Sequence, residues 1–230
     1  MRSVNLLVWP PLRDRAAWAR ADELPHDLGD VLATMAEGLE PGLEPAGTEP
    51  WISGLRRVDE RIDEAWRLLG QARESGRLNP RRSRPEGLDD LRRTLHLLEQ
   101  AVADTLSMAR TLATSAENST LWGEDFRSSY KRLLSATADA VSARDADRLE
   151  EIRAELGDLA GELSTDALAG SAWYEYGGLL VNLRNVLGAL TEVTRSGEAS
   201  ARSPRRSKRE RPRLRSRPVG YSERDDHSTA

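Results

Sequence analysis

Apolar residues recur along this chain at alternating intervals of three and four, the repeat of an amphipathic helix rather than a strand. Six segments carry it. The first runs over 13–39 on Ala17, Leu24, Leu28, Val31, Leu32 and Met35, with Pro25 predicting a kink or break inside it. A turn-rich linker follows, Glu40 to Gly47. The second starts near Trp51, with Thr48 as cap and Pro50 in the first turn; its seam is Leu55, Val58, Ile62, Ala65 and Leu69, and it ends near Gly76. An extended basic loop spans Arg77 to Pro85. The third segment is the longest, on Leu88, Leu91, Leu95, Leu98, Val102, Leu106, Ala109 and Leu112, up to an interruption at Ser119-Thr120. The fourth carries Phe126, Tyr130, Leu133, Thr137 and Val141 and breaks at Arg144-Asp145, where Asp145 is a candidate cap. The fifth carries Leu149, Ile152, Leu156, Leu159 and Leu163. The sixth starts after Gly170 with Ser171 as cap, on Trp173, Tyr176, Leu180, Leu183, Leu187 and Leu190.

No stretch alternates with period two. The fold class read from the pattern is all-α: an antiparallel bundle of about six long amphipathic helices over residues 13–196. The 3-4 spacing favours shallow, coiled-coil-like crossings. Helices of this length also permit pairing between chains, so a homo-oligomer is compatible with the pattern. Past Arg195 the apolar repeat stops, and residues 197–230 read as a disordered basic tail.

Charge sharpens this division. The chain of 230 residues has a formal net charge of −4. Residues 201–218 alone carry Arg202, Arg205, Arg206, Lys208, Arg209, Arg211, Arg213, Arg215 and Arg217 against Glu210, so the first 200 residues are strongly acidic. Cysteine is absent, which excludes disulfides and thiolate chemistry. Lys131 and Lys208 are the only lysines.

Chemical motifs are scarce. Gly177-Gly178 lacks the flanking glycines, lysine and preceding strand of a phosphate loop, and reads as a close helix contact. His26, His96 and His227 stand far apart, with no His-x-x-x-His pair, and are expected to hold no metal; His96 reads as a boundary residue of the third helix. The carboxylates of the second, third and fifth helices have arginines three or four residues away, the pattern of a solvated, ion-paired face. No Gly-x-Ser-x-Gly turn occurs. The expectation is therefore no catalytic residue, no cofactor and no metal site. Trp173, Tyr174 and Tyr176 form an aromatic cluster in an aromatic-poor chain: either a platform for a planar ligand or an anchor at the end of the bundle.

Before the first helix stands an apolar stub, Val4-Asn5-Leu6-Leu7-Val8-Trp9, stopped by Pro10-Pro11. A membrane span needs roughly 20 apolar residues, so the stub reads as the end of a span, with Trp9 at the height of an interfacial aromatic. The stretch from Val4 through Pro10-Pro11-Leu12-Arg13, the helix ending Glu37-Gly38-Leu39, the helix from Trp51 to Ala72-Arg73-Glu74-Ser75, and Arg77-Leu78-Asn79-Pro80-Arg81 resemble the cytosolic region of bacterial FUSC proteins, the fusaric-acid-resistance and aromatic acid exporter family in its actinobacterial form. The resemblance covers about residues 4–195. It implies that residues 1–12 are a junction to a membrane half carrying the transport path, that Leu6, Leu7, Val8, Trp9, Pro10 and Pro11 lie next to the membrane, and that the chain sits on the cytoplasmic face of the plasma membrane with an assembly or regulatory role. The basic tail, through Arg205, Arg206, Lys208, Arg209, Arg211, Arg213 and Arg215, would then touch the anionic lipid surface. A free-standing helical scaffold for protein partners is the alternative. Non-specific nucleic-acid binding through the tail is third; no aromatic is interleaved in 201–218, and the acidic body opposes a polyanion.

Overall fold

The computed structural model describes residues 12–78, 85–117, 123–166 and 173–202. Six helices account for nearly all of them: α1 (Leu12–Gly38), α2 (Glu49–Leu78), α3 (Pro85–Glu117), α4 (Glu124–Ala143), α5 (Ala146–Asp166) and α6 (Trp173–Arg202). No strand occurs among the described residues. The all-α bundle read from the sequence is the architecture observed.

The helices run alternately up and down. Between α1 and α2, Thr34 meets Trp51 while Arg20 pairs with Glu64. Between α2 and α3, Arg73 pairs with Asp89 and Trp66 reaches Glu99. Glu40, just past the end of α1, meets Lys131 in the first half of α4, and Asp22 of α1 meets Arg144 beyond the end of α4. Ser107 and Ser115 of α3 bond Asn182 and Glu175 of α6, and Glu150 near the start of α5 meets Arg195 near the end of α6. Each pairing is antiparallel. Around the bundle the order of neighbours is α2, α1, α4, α5, α6, α3 and back to α2, with α1 also touching α3. Two three-helix units, α1–α3 and α4–α6, are thus joined through the α1/α4 and α3/α6 seams.

One continuous core fills the interior. Leu24, Leu28, Leu32, Met35, Leu55, Ile62, Leu91, Leu95, Leu98, Leu133, Leu149, Ile152, Leu183 and Leu187 are all buried. Thr105, Thr137 and Thr191 are buried too, at no cost in unmade hydrogen bonds. Each donates its hydroxyl to the carbonyl four residues earlier, at 2.7–2.8 Å.

Several local expectations change. α1 runs unbroken through Pro25, because Leu24 and Leu28 on either side are fully buried and hold the helix to its neighbours. Thr48 does not cap α2: it lies in a short 3₁₀ turn, Pro45–Thr48, and its hydroxyl donates back to the Pro45 carbonyl at 2.7 Å. α2 extends to Leu78, past Gly76, and α6 to Arg202, past the boundary at 196. In α6 the fully buried leucine is Leu179, not Leu180. In α3 Thr105 takes the inward position and Leu106 packs only partly; a straight helix of 3.6 residues per turn drifts from a strict heptad over this length. A Cβ on Gly178 would meet nothing within 4 Å, so the glycine marks no close helix contact.

Candidate functional site

The residues singled out in the sequence fall in three places. Leu6, Leu7, Val8, Trp9, Pro10 and Pro11 lie outside the described residues, and so do Arg205, Arg206, Lys208, Arg209, Arg211, Arg213 and Arg215. What the fold gives is where their attachment points stand. α1 starts and α6 ends at the same pole of the bundle, which follows from six alternating helices. The α2–α3 connection is at that pole as well, as is the α4–α5 turn.

Charge divides along this axis. The connections at the opposite pole, with their flanking turns, are residues 37–49, 117–125 and 158–175. They hold eleven carboxylate side chains and no Lys or Arg. Arg73 and Arg77 lie in the last turns of α2 at the first pole, and in the sequence Arg81, Arg82 and Arg84 follow α2 and the Arg-rich tail follows α6. Among the described residues the bundle is acidic at the opposite pole, and the sequence leading off the first pole is rich in arginine.

The aromatic cluster divides. Trp173 is the first residue of α6, and its side chain lies outside the described set. Tyr174 is 77% exposed. Tyr176 turns inward and stacks on Phe126, ring centroids 4.0 Å apart, and its hydroxyl oxygen accepts the Gly123 N–H at 2.9 Å. Phe126 in turn stacks on Tyr130 at 5.5 Å. The Tyr130 hydroxyl is fully buried, 3.0 Å from Met108 Sδ and 3.3 Å from the Leu179 carbonyl oxygen, and burial pushes its pKa well above the usual phenol value. Tyr176, Phe126 and Tyr130 therefore anchor the acidic end of the bundle, while Tyr174 belongs to a different surface.

Sequence reasoning missed a polar group between α2 and α3. Glu99 accepts the indole N–H of Trp66 at 2.6 Å with one oxygen and meets His96 Nδ1 at 3.0 Å with the other. The Trp66 and His96 rings are 4.8 Å apart. Nearby, burial and then the charges of Asp63, Glu99 and Glu60 raise the Asp59 carboxyl above its ordinary value. Only the i to i+3 spacing of His96 and Glu99 was visible in the sequence; Trp66 arrives from another helix. Among the described residues no group of His, Asp and Glu side chains is arranged to hold a metal ion.

A shallow open depression of about 560 Å³ lies at the pole where α6 ends, between the α4–α5 turn and the last turns of α6. Its guanidiniums are already engaged: Arg144 with Asp22 at 2.7 Å, Arg195 with Glu150 at 3.3 Å. Among the described residues no helix is long and apolar enough to cross a membrane. Comparison of the chain with protein-family models, with curated proteins and with solved structures finds no match to any of them.

Proposed function

We propose that this bundle is a membrane-proximal cytosolic domain of an exporter-like protein of the FUSC type, with an assembly or regulatory role and with the pole where α1 begins and α6 ends toward the lipid. The observation that carries this reading is the direction of the chain. α1 begins, α2 ends, α3 begins and α6 ends at one pole, and in the sequence these ends adjoin the apolar stub, the arginine-rich segment after α2 and the Arg-rich tail. A chain leaving a bilayer at Pro10-Pro11 would then bring its basic segments to the surface it has just left. Each basic residue near an anionic leaflet is worth about 1 kcal/mol. The acidic pole would stand away from the lipid, as like-charge repulsion requires.

Co-flotation with phosphatidylcholine vesicles, with and without phosphatidylserine, tests the contact. The full chain is expected to float only with the anionic vesicles, and less with rising salt. Deleting residues 201–218 is expected to remove most of the binding. Equal flotation with neutral vesicles, or binding indifferent to the deletion, would sink the electrostatic reading. The alternative, a scaffold for protein partners, draws its support from Tyr174 and Val181, the exposed large hydrophobic residues among those described, both on α6.

A further inference from the structure

We infer that at raised concentration the α4–α6 half of this bundle is supplied by a second copy of the chain, in a dimer whose α1–α3 halves each hold the other copy's α4–α6. The argument starts from an internal repeat. α1 buries Ala17, Ala21, Leu24, Leu28, Val31 and Leu32. α4 buries Phe126, Tyr130, Leu133, Thr137, Ala140 and Val141 at the same successive intervals, with Leu134 besides. α2 and α5 match in the same way, Leu55, Val58, Ile62 and Ala65 against Leu149, Ile152, Leu156 and Leu159. So do α3 and α6, with Leu98, Val102, Thr105 and Met108 against Leu179, Leu183, Val186 and Ala189. The two halves are versions of one three-helix unit, packed as a two-fold pair: α1 lies antiparallel on α4, and α3 antiparallel on α6. Gly29 and Ala138 hold equivalent places in this repeat, and they meet. A Cβ on Gly29 would stand 3.6 Å from the Ala138 carbonyl oxygen. Equivalent residues touch where a two-fold axis crosses.

Within the second half, α4 and α6 touch each other little; α1 and α3 hold them. That half completes its core only on an α1–α3 half, its own or another copy's. Topology binds it weakly to its own. Every other pair of consecutive helices lies side by side, whereas α3 and α4 are not neighbours and are joined in the chain by residues 118–123 alone. A short connection between separable units invites exchange. Charge decides which half is accepted. Asp22 and Glu40 stand on and just past α1, and they pair across the seam with Arg144 and Lys131 of α4 and its C-terminal turn. A second α1–α3 half in that place would set Asp22 toward the end of the other α1, where Glu37 and Glu40 stand, at the cost of like charges facing each other. The α4–α6 half of another copy restores both pairs and every buried contact. Exchange then competes only with the effective concentration of the attached half, on the order of mM for a short linker.

The absence of native cysteine makes the test direct. A Cβ on Gly29 would stand 3.7 Å from Val141 Cβ, inside the ~3.5–4.5 Å that a disulfide spans. Full-length Gly29→Cys and Val141→Cys chains are unfolded together in urea, refolded at about 1 mM and oxidised. A disulfide-linked heterodimer is expected, at least about tenfold more than from the same chains refolded apart at high dilution and mixed just before oxidation. In unexchanged bundles the two thiols lie in the seams of different molecules and cannot meet. A second pair of full-length variants leaves the core untouched. One carries Asp22→Arg and Glu40→Arg, the other Lys131→Glu and Arg144→Glu. Each alone sets like charges across its own seam, and only exchange between the two restores both pairs. Their mixture is expected to hold about tenfold more dimer in sedimentation than either variant alone at the same concentration. No heterodimer after joint refolding, or a charge-swapped mixture as monomeric as its components, would overturn the proposal. So would Gly29→Cys linking to itself as readily, which is the mark of α1–α3 pairing with α1–α3.

Discussion

A methyl group added at Gly38 would stand 2.6 Å from Cζ2 of Trp51, closer than non-bonded carbon atoms approach. The indole has no room to yield: it is 1% exposed, and its N–H donates to the Thr34 carbonyl at 3.2 Å, tying the start of α2 to the last turns of α1. Gly38→Ala is expected to destabilise the fold by about 1–3 kcal/mol, the usual cost of overpacking, as read from urea unfolding. Tyr130 gives a prediction in pH. Its folded pKa is raised by burial, while in the unfolded chain it ionises near 10. Above that pH the unfolded state binds fewer protons than the folded one, so this residue's contribution is whole below pH ~10 and declines above it. With four tyrosines and two lysines in the chain, few other side chains titrate there. Tyr130→Phe is expected to cost about 1 kcal/mol at neutral pH and to flatten the alkaline decline; an unchanged decline in urea midpoints would refute the assignment. The burial of Tyr130 was legible from its place on the α4 stripe. The acceptors Met108 and Leu179 were not, because they come from α3 and α6. Trp51 was legible only as a helix start, for the same reason.

Between α4 and α5 two residues make the whole connection. Arg144 takes the left-handed conformation, φ 55°, and its N–H closes on the Val141 carbonyl at 3.1 Å. Asp145 then caps α5, its Oδ1 accepting the Arg148 N–H at 2.9 Å, as its position in the sequence suggested. Asp145→Ala is expected to cost about 1 kcal/mol, checked by thermal unfolding; a loss within error would mean that the turn is held by Arg144 and Asp22 instead. Helix existence and seams were legible because burial imposes a period on the sequence. Register was less so where the code is redundant. Leu179, Leu180 and Val181 are all apolar, and only the joint demand of α3 and α5 on α6 selects Leu179 for the core and turns Val181 outward. Thr48 carried a cap's chemistry, but the preceding Pro45 opened a 3₁₀ turn whose carbonyl took the hydroxyl first.

At the scale of the whole molecule, the antiparallel order was legible from short connections, yet the gathering of carboxylates at one pole was not. Eleven acidic residues in three connections look scattered along the chain; they gather only when alternate helices return them to the same pole. The candidate membrane-facing residues were named from the stub and the tail, and the fold contributes the position of the residues that lead to them. That both of these leads, Leu12 and Arg202, stand at one pole has a mechanical consequence. A pull applied between them does not shear the helices past one another. It works at the pole where α1 begins and α6 ends, peeling each from its neighbours a turn at a time. Such unzipping loads a few side-chain contacts at once, so the bundle would open at low force from that pole while the Trp51 and Tyr176 clusters at the far end hold longest.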